Sequence, residues 1–294
     1  MTGMQALRTA APYLNQFRGH VFVVKLGGEV LDAPAALRSV AEQLALFWHL
    51  GMKVVVVHGG GTSIDALCDQ LQLRTVKIAG RRVTTPETLD VVKMSLAGKV
   101  HVDLLATLRS VGLPIVGLTG LDAGLLEAKR RPPIEVDVAG ESKEVDFGLV
   151  GDIQRVNPRV LHELLNSGYM PIIAPLSGND DGDVFNTNAD TVAAALAASL
   201  EAEKLIFVLR VPGLLCDIKD PNSLIPHVTL NEVSGLVHDG TASAGMLPKL
   251  TAARRAIEDG VKAVHLVGAF LPDSLLLEVF TNEGSGTMIE RDAP

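Results

Sequence analysis

Two lysines stand where an anion could be held. The first lies in Val23-Val24-Lys25-Leu26-Gly27-Gly28, a β-branched run that ends in a lysine and two glycines. Ligands of open α/β sheets sit at the carboxyl ends of strands. Glycines there let backbone N–H groups approach an anion, and a lysine adds a point charge suited to phosphate. A tight turn with a solvated lysine explains the same residues equally well. A second run, Val54-Val55-Val56-Val57-His58, passes straight into Gly59-Gly60-Gly61, with a helix predicted over 63–71. Three consecutive glycines cost more conformational entropy than a turn requires. A backbone anion cradle at a helix N-terminus accounts for them. Neither turn is the GxGxxG fingerprint or the GxxxxGK[ST] loop. His58 itself reads as a satisfied core histidine rather than an acid or base.

Three further clusters carry charge or hydrogen-bonding capacity. Gly80-Arg81-Arg82-Val83-Thr84 places two arginines side by side. Adjacent residues in an extended segment point opposite ways, so one arginine at most forks onto a ligand carboxylate. Two solvated arginines are the plain alternative. Phe185-Asn186-Thr187-Asn188-Ala189-Asp190 opens a helix with more capping residues than one cap needs, and Asp190 could accept hydrogen bonds from lysines. Gly245-Met246-Leu247-Pro248-Lys249 opens a helix predicted to run to about Glu258. The helix dipole opposes a lysine in the first turn, which points to an anionic partner. No HExxH, metal-spaced Cys/His set or GxSxG elbow is present. Paired lysines and glycine turns without a protein metal cage point towards phosphoryl transfer, which needs positioning and charge neutralisation above all.

The elements that must position these residues alternate. Apolar runs begin near Val21, Val54, Leu113, Pro171, Leu205 and Ala263, and they read as strands buried on both faces, with helical patterns between them. Thr85 before Pro86, and Asn157 before Pro158, mark helix starts. The pattern predicts an α/β chain: a three-layer αβα sandwich around a mainly parallel sheet. Residues 121–155 read instead as β-hairpins with Gly and Pro turns, a lid over the site. An irregular stretch covers 211–226. A division near residue 200 separates an N-terminal half, 1–200, from a C-terminal half, 201–294.

Composition bounds the function. The chain has 294 residues and a net charge of −8, which argues against nucleic-acid and membrane-surface partners. Aromatic residues are 4%, too few for a base-stacking platform. Five of the 28 glycines lie in the two turns at 27–28 and 59–61. Cys68 and Cys216 are far apart and in apolar surroundings, so both read as buried free thiols. No secretory signal or membrane span is evident, and a cytoplasmic location is expected.

Taken in order, the motifs resemble the amino acid kinase family. The matching stretches are VVKLGGEVL, VVVVHGGGTSID, GRRVTTPETLDVVKMSLAGKV, GLTGLDAGLLEAK, NPRVLHELLNSGYMPIIAPLSG, FNTNADTVAAALAASL, GMLPKLTAARRAI and LLLEVFTNEGSGTMI, spanning about residues 20–290. The resemblance implies ATP-dependent phosphorylation of the side-chain carboxylate of N-acetyl-L-glutamate in arginine biosynthesis, with Mg²⁺ held mainly by the nucleotide phosphates. It makes Lys25, Lys249 and Asp190 catalytic. It assigns Gly27 and Gly28 to phosphate, and Gly60, Gly61, Arg82 and Asn186 to the substrate. It puts substrate on the N-terminal half and nucleotide on the C-terminal half. The segment AAPYLNQFRGH resembles the extra helix of arginine-inhibited members. Tyr13, His265, Glu278, Gly284 and Gly286 then fall at an L-arginine effector site, in a homo-oligomer that is a dimer or a hexamer of dimers. Leu209-Arg210-Val211-Pro212-Gly213 departs from the family, which usually has Thr-Asp or Ser-Asp before the turn. Two alternatives stay open: a sister kinase for a carrier-bound aminoadipate or glutamate, and a catalytically weakened arginine-binding regulator.

Overall fold

The six apolar runs become six mutually parallel strands of one eight-stranded sheet. Its order is His227–Thr229, Thr287–Glu290, Ala263–Gly268, Lys204–Leu209, Val21–Leu26, Lys53–His58, Met170–Ala174, Ile115–Thr119. Thr287–Glu290 runs antiparallel to Ala263–Gly268, parallel to the edge strand His227–Thr229. The computed structural model describes residues 3–138, 141–217, 219–220, 223–238 and 245–292.

Side chains alternate across this sheet, as period two requires. Val23, Val55, Val57, Leu205, Phe207, Val264 and Leu266 pack on one face, with the helices Ala189–Ser199 and Leu247–Glu258. Phe22, Val24, Val54, Val56, Ile206 and Val208 pack on the other, with Pro34–His49, Val100–Ser110 and Ser274–Phe280. Three layers result, as the alternating pattern predicts. The sheet runs unbroken across residue 200, because Val21–Leu26 pairs with Lys53–His58 on one side and Lys204–Leu209 on the other.

Residues 121–155 do form hairpins. Leu126–Arg130 pairs antiparallel with Gly151–Val156 in a small four-stranded sheet, and Ile134–Val138 pairs with Glu141–Val145. Thr85 caps Pro86–Lys93 by accepting from the Thr88 N–H. Three expectations need correction. The strand expected from Leu113 begins at Ile115, because Pro114 cannot donate to a ladder and Leu113 turns into the core instead. The helix expected after Asn157 starts at Arg159 with Pro158 in the cap position, and Asn157 Oδ1 accepts from the Arg159 N–H at 3.4 Å. Cys68 is buried, but Cys216 is exposed, since it follows the inward-facing Leu214 and Leu215 in a turn.

Phe22 anchors the second face. Its ring lies 5.5 Å from Phe17 and 5.8 Å from Phe47, both edge-on, and Phe47 continues to Phe280 at 5.7 Å. Phe22→Ala removes the centre of this chain and is expected to cost about 3–5 kcal/mol of folding free energy. Urea denaturation followed by circular dichroism measures it.

Candidate active site

Register brings the two glycine turns together. Leu26 pairs with His58, so Gly27-Gly28 and Gly59-Gly60-Gly61 leave the sheet side by side at its carboxyl end. The Gly59 N–H donates to Leu26 O at 2.9 Å. Gly28 opens the short helix Gly28–Leu31, and Gly60 is the N-cap of Gly61–Gln70 with no side-chain cap. The Thr62 hydroxyl, in the first turn of that helix, donates to the Asp32 carboxylate and ties the two turns. The N–H groups of Gly28, Gly60 and Gly61 meet no backbone acceptor among the described residues. Space is tight at two of these glycines and open at Gly61. A Cβ on Gly28 would lie 3.1 Å from Thr62 Oγ1, and one on Gly60 would lie 2.7 Å from Leu96 Cδ2. Leu96 belongs to a π-helical turn, Met94–Lys99, that widens the helix against the glycines.

Beside the turns lies a buried charge cluster. Asp190 sits in the first turn of Ala189–Ser199. Asn188 Oδ1 caps that helix, accepting from the N–H of Asp190 at 2.9 Å and of Thr191 at 3.0 Å, so the Asp190 carboxylate is left for other partners. Lys25 Nζ lies 2.7 Å from Asp190 Oδ1, and Lys249 Nζ lies 3.5 Å from Oδ2. Lys249 also donates to Gly245 O at 3.2 Å. Lys25 and Asp190 are buried, and the Lys249 side chain is 21% exposed. Burial pushes the Asp190 carboxyl up, but the two lysines outweigh it and hold the acid below its ordinary range. Two cations face one anion, so the cluster is formally one positive charge in excess.

The arginines divide as the extended segment predicts. Arg81 is exposed, whereas the Arg82 side chain is only 7% exposed. Arg82 Nη2 lies 2.7 Å from Asp65 Oδ1 and donates to Gly61 O at 3.2 Å. Arg82 Nη1 is buried without a partner. Asp65 also takes Lys77 Nζ at 2.5 Å. Asn186 Nδ2 donates to Thr84 Oγ1 at 3.2 Å, two residues beyond Arg82. Asp65 was not among the expected site residues. Its signal is the helical spacing from Gly61, one turn on, which brings it beneath the arginine segment.

A second cluster lies towards the amino end of the sheet, where Lys204 is in register with Phe22. His265 Nδ1 is 2.6 Å from Glu278 Oε1, and His265 Nε2 is 2.8 Å from Lys204 Nζ. Glu278 Oε2 accepts from the N–H groups of Ser285 and Gly286, each at 2.8 Å. Gly284 has φ +66°, and a Cβ there would lie 2.9 Å from Glu278 Oε2. Tyr13 donates to Asn282 and stacks with Phe17, over which Lys204 Nζ lies 5.1 Å from the ring centroid. Burial lowers His265 and raises Glu278, but hydrogen bonds and the imidazole bring Glu278 below its ordinary range. The five residues expected at an effector site are thus neighbours. Lys204 joins them without a sequence signal, because it reads only as the start of an apolar run.

Among the described residues, no three His, Cys, Asp or Glu side chains gather in a metal-holding cluster. Among the described residues, too, no helix is long and apolar enough to cross a membrane.

Residues 20–268 match the family model described as amino acid kinase family. Among curated proteins, acetylglutamate kinase of Myxococcus xanthus is 54% identical, over 98% of this chain and 94% of that protein. Among solved structures, N-acetylglutamate synthase from Neisseria gonorrhoeae, complexed with coenzyme A and N-acetyl-glutamate, is 28% identical with a TM-score of 0.83, covering 100% of this chain. This chain spans 65% of that synthase chain. The same synthase complexed with coenzyme A and L-arginine gives 26% identity and a TM-score of 0.81, again covering 100% of this chain and 66% of the synthase.

The buried histidine at the second glycine turn makes stability depend on pH. Burial lowers His58 from its ordinary 6.5 to about 4. Between those values the unfolded chain binds a proton that the folded chain refuses, so stability falls as pH falls. His58 alone contributes a loss of about 3 kcal/mol across that window, at about 1.4 kcal/mol per pH unit. Asp190 adds a further loss only below its ordinary 3.8. Burial lowers His101 and His265 as well, so urea denaturation at a series of pH values is expected to give a slope at least this steep, and His58→Asn is expected to reduce it.

Proposed function

This chain belongs to the amino acid kinase family, and from that membership we propose that it transfers the γ-phosphoryl group of ATP to the side-chain carboxylate of N-acetyl-L-glutamate, a step of arginine biosynthesis. The observation that carries the reading is the buried Lys25–Asp190–Lys249 cluster beside two glycine turns with free N–H groups. A carboxylate is already ionised at pH 7, so it attacks phosphorus without a general base. The new bond joins a carboxylate oxygen to the γ-phosphorus as the bond to the bridging oxygen of ADP breaks. The product is N-acetylglutamyl 5-phosphate.

Each residue then has a role. Lys25 and Lys249 neutralise the transferring group from two sides, and Asp190 holds both ammonium groups in place. Preorganised charges of this kind stabilise a transition state without reorganising during the reaction. The Gly28 amide holds phosphate oxygens, and those of Gly60 and Gly61 hold the acceptor; the Gly27 N–H, expected to share the phosphate, instead donates to Val208 O at 3.4 Å, so Gly27 contributes only the turn. Arg82 turns its unpartnered Nη1 to the α-carboxylate, with Asn186 alongside. Magnesium, held mainly by the nucleotide phosphates, supplies further charge neutralisation when bound. The acceptor occupies the half formed by residues 1–200 and the nucleotide the half formed by 201–294.

The second cluster is an L-arginine effector site formed by Tyr13, His265, Glu278, Gly284 and Gly286, with Lys204 added. The arginine-complexed synthase, alike in fold over the whole chain, supports this. Glu278 supplies a carboxylate suited to a guanidinium. The assembly is a homo-oligomer, a dimer or hexamer of dimers, with Gly3–Phe17 available for contacts between dimers. The compartment is the cytoplasm, consistent with two free cysteines.

Trapping the acyl phosphate with hydroxylamine across a panel of acidic amino acids tests the reaction, and turnover with N-acetyl-L-glutamate is expected. Lys249→Ala is expected to lower kcat about 10²-fold or more. A change below about threefold would place the lysine elsewhere. Adding L-arginine is expected to inhibit the wild type, and Glu278→Gln to weaken that inhibition. An assay insensitive to millimolar arginine would remove the effector site.

A further inference from the structure

His58 and His101 form a buried pair that no step of the reaction uses. His58 is 0% exposed and His101 is 7% exposed. His58 Nδ1 lies 2.9 Å from Gly59 O, and His58 Nε2 lies 2.9 Å from His101 Nδ1. A carbonyl oxygen can only accept, so His58 Nδ1 carries the proton. Neutral His58 therefore presents a lone pair at Nε2, and His101 must donate to it from Nδ1. One relay results, from His101 to His58 to the Gly59 carbonyl, with the direction of each hydrogen bond determined.

The last acceptor in this relay is the informative one. Gly59 O and the Gly60 N–H belong to one planar trans peptide and point in opposite directions. Holding the carbonyl against the His58 ring turns the Gly60 N–H the other way, out of the core. That N–H has no backbone acceptor among the described residues. We propose that His101 and His58 are positioning residues that aim the Gly60 amide into the cleft. The oxygen this amide meets is that of the acceptor, which rests on the functional reading above.

Two packing features agree. His101 lies in Val100–Ser110, the continuation of the π turn whose Leu96 presses on Gly60. The same helix thus blocks one side of the turn and orients its peptide. Gly117, in the edge strand Ile115–Thr119, lies so close to His101 Nε2 that a Cβ there would collide with the ring. Glycine at 117 leaves room for the imidazole that sets the tautomer of His58.

The tautomer can be read directly. In wild-type protein with ¹⁵N-labelled histidine, the His58 resonance, assigned by its loss in His58→Asn, is expected to show Nδ1–H and a bare Nε2. A His58 protonated at Nε2 and bare at Nδ1 would overturn the relay. Two variants test its effect. His101→Leu removes the donor and is expected to lower kcat by at least about tenfold with KM for ATP little changed. His101→Asn places an amide N–H where Nδ1 stood and is expected to restore most of the kcat. A folded His101→Leu with kcat within about threefold of wild type would overturn the positioning role. Absence of turnover in the wild type would defeat the functional reading instead, while the tautomer measurement would still decide the relay.

Discussion

One carboxylate holds three separate parts of the chain together. Asp190 meets Lys25 from the sheet and Lys249 from a helix start, and both Lys25 and Asp190 are withdrawn from water. Removing charged groups from water is costly, and the interaction is sustained only when each charge keeps its partner. The strand Val21–Leu26 and the helices Ala189–Ser199 and Leu247–Glu258 must therefore arrive in one relation. Asn188 makes this feasible, because it takes over the capping that Asp190 would otherwise do.

The excess positive charge of that cluster suits an anion even in an acidic chain. The net charge of −8 describes the surface as a whole. Within the cleft, two lysines, the free face of one arginine and the N–H groups of the glycine turns all present positive ends. Low polarisability there makes each worth more than it would be in water. Parallel strands supply the convergence: six of the eight strands end at one edge, so the turns that open at Gly27 and Gly59, 32 positions apart in sequence, become adjacent.

Much of this is legible in the sequence. Lys25, the glycines, Arg82 and Asp190 lie where a buried strand or helix pattern breaks, and such breaks are local. His101 is not legible, and Asp65 is so only through its one-turn spacing from Gly61, although each contacts the expected machinery. Both lie within helical patterns, where a charged or polar residue reads as an ordinary exposed position. Their significance comes from Arg82 and His58, which are distant in sequence. Lys204 carries no sequence signal either, because it reads only as the start of an apolar run. Cys216 failed in the opposite direction, since apolar neighbours in sequence do not settle which way a turn residue points.

The amino-acid order by itself determined the layer architecture and the chemical class. Short continuous runs rich in β-branched residues read as strands buried on both faces, and consecutive glycines after such runs leave backbone donors free. What only the tertiary structure decided is which charges share a partner. Lys25 and Lys249 are 224 positions apart, and nothing local to either specifies a common carboxylate. That pairing exists because strand register and helix packing bring the groups within hydrogen-bonding reach, and because burial penalises any charge left alone.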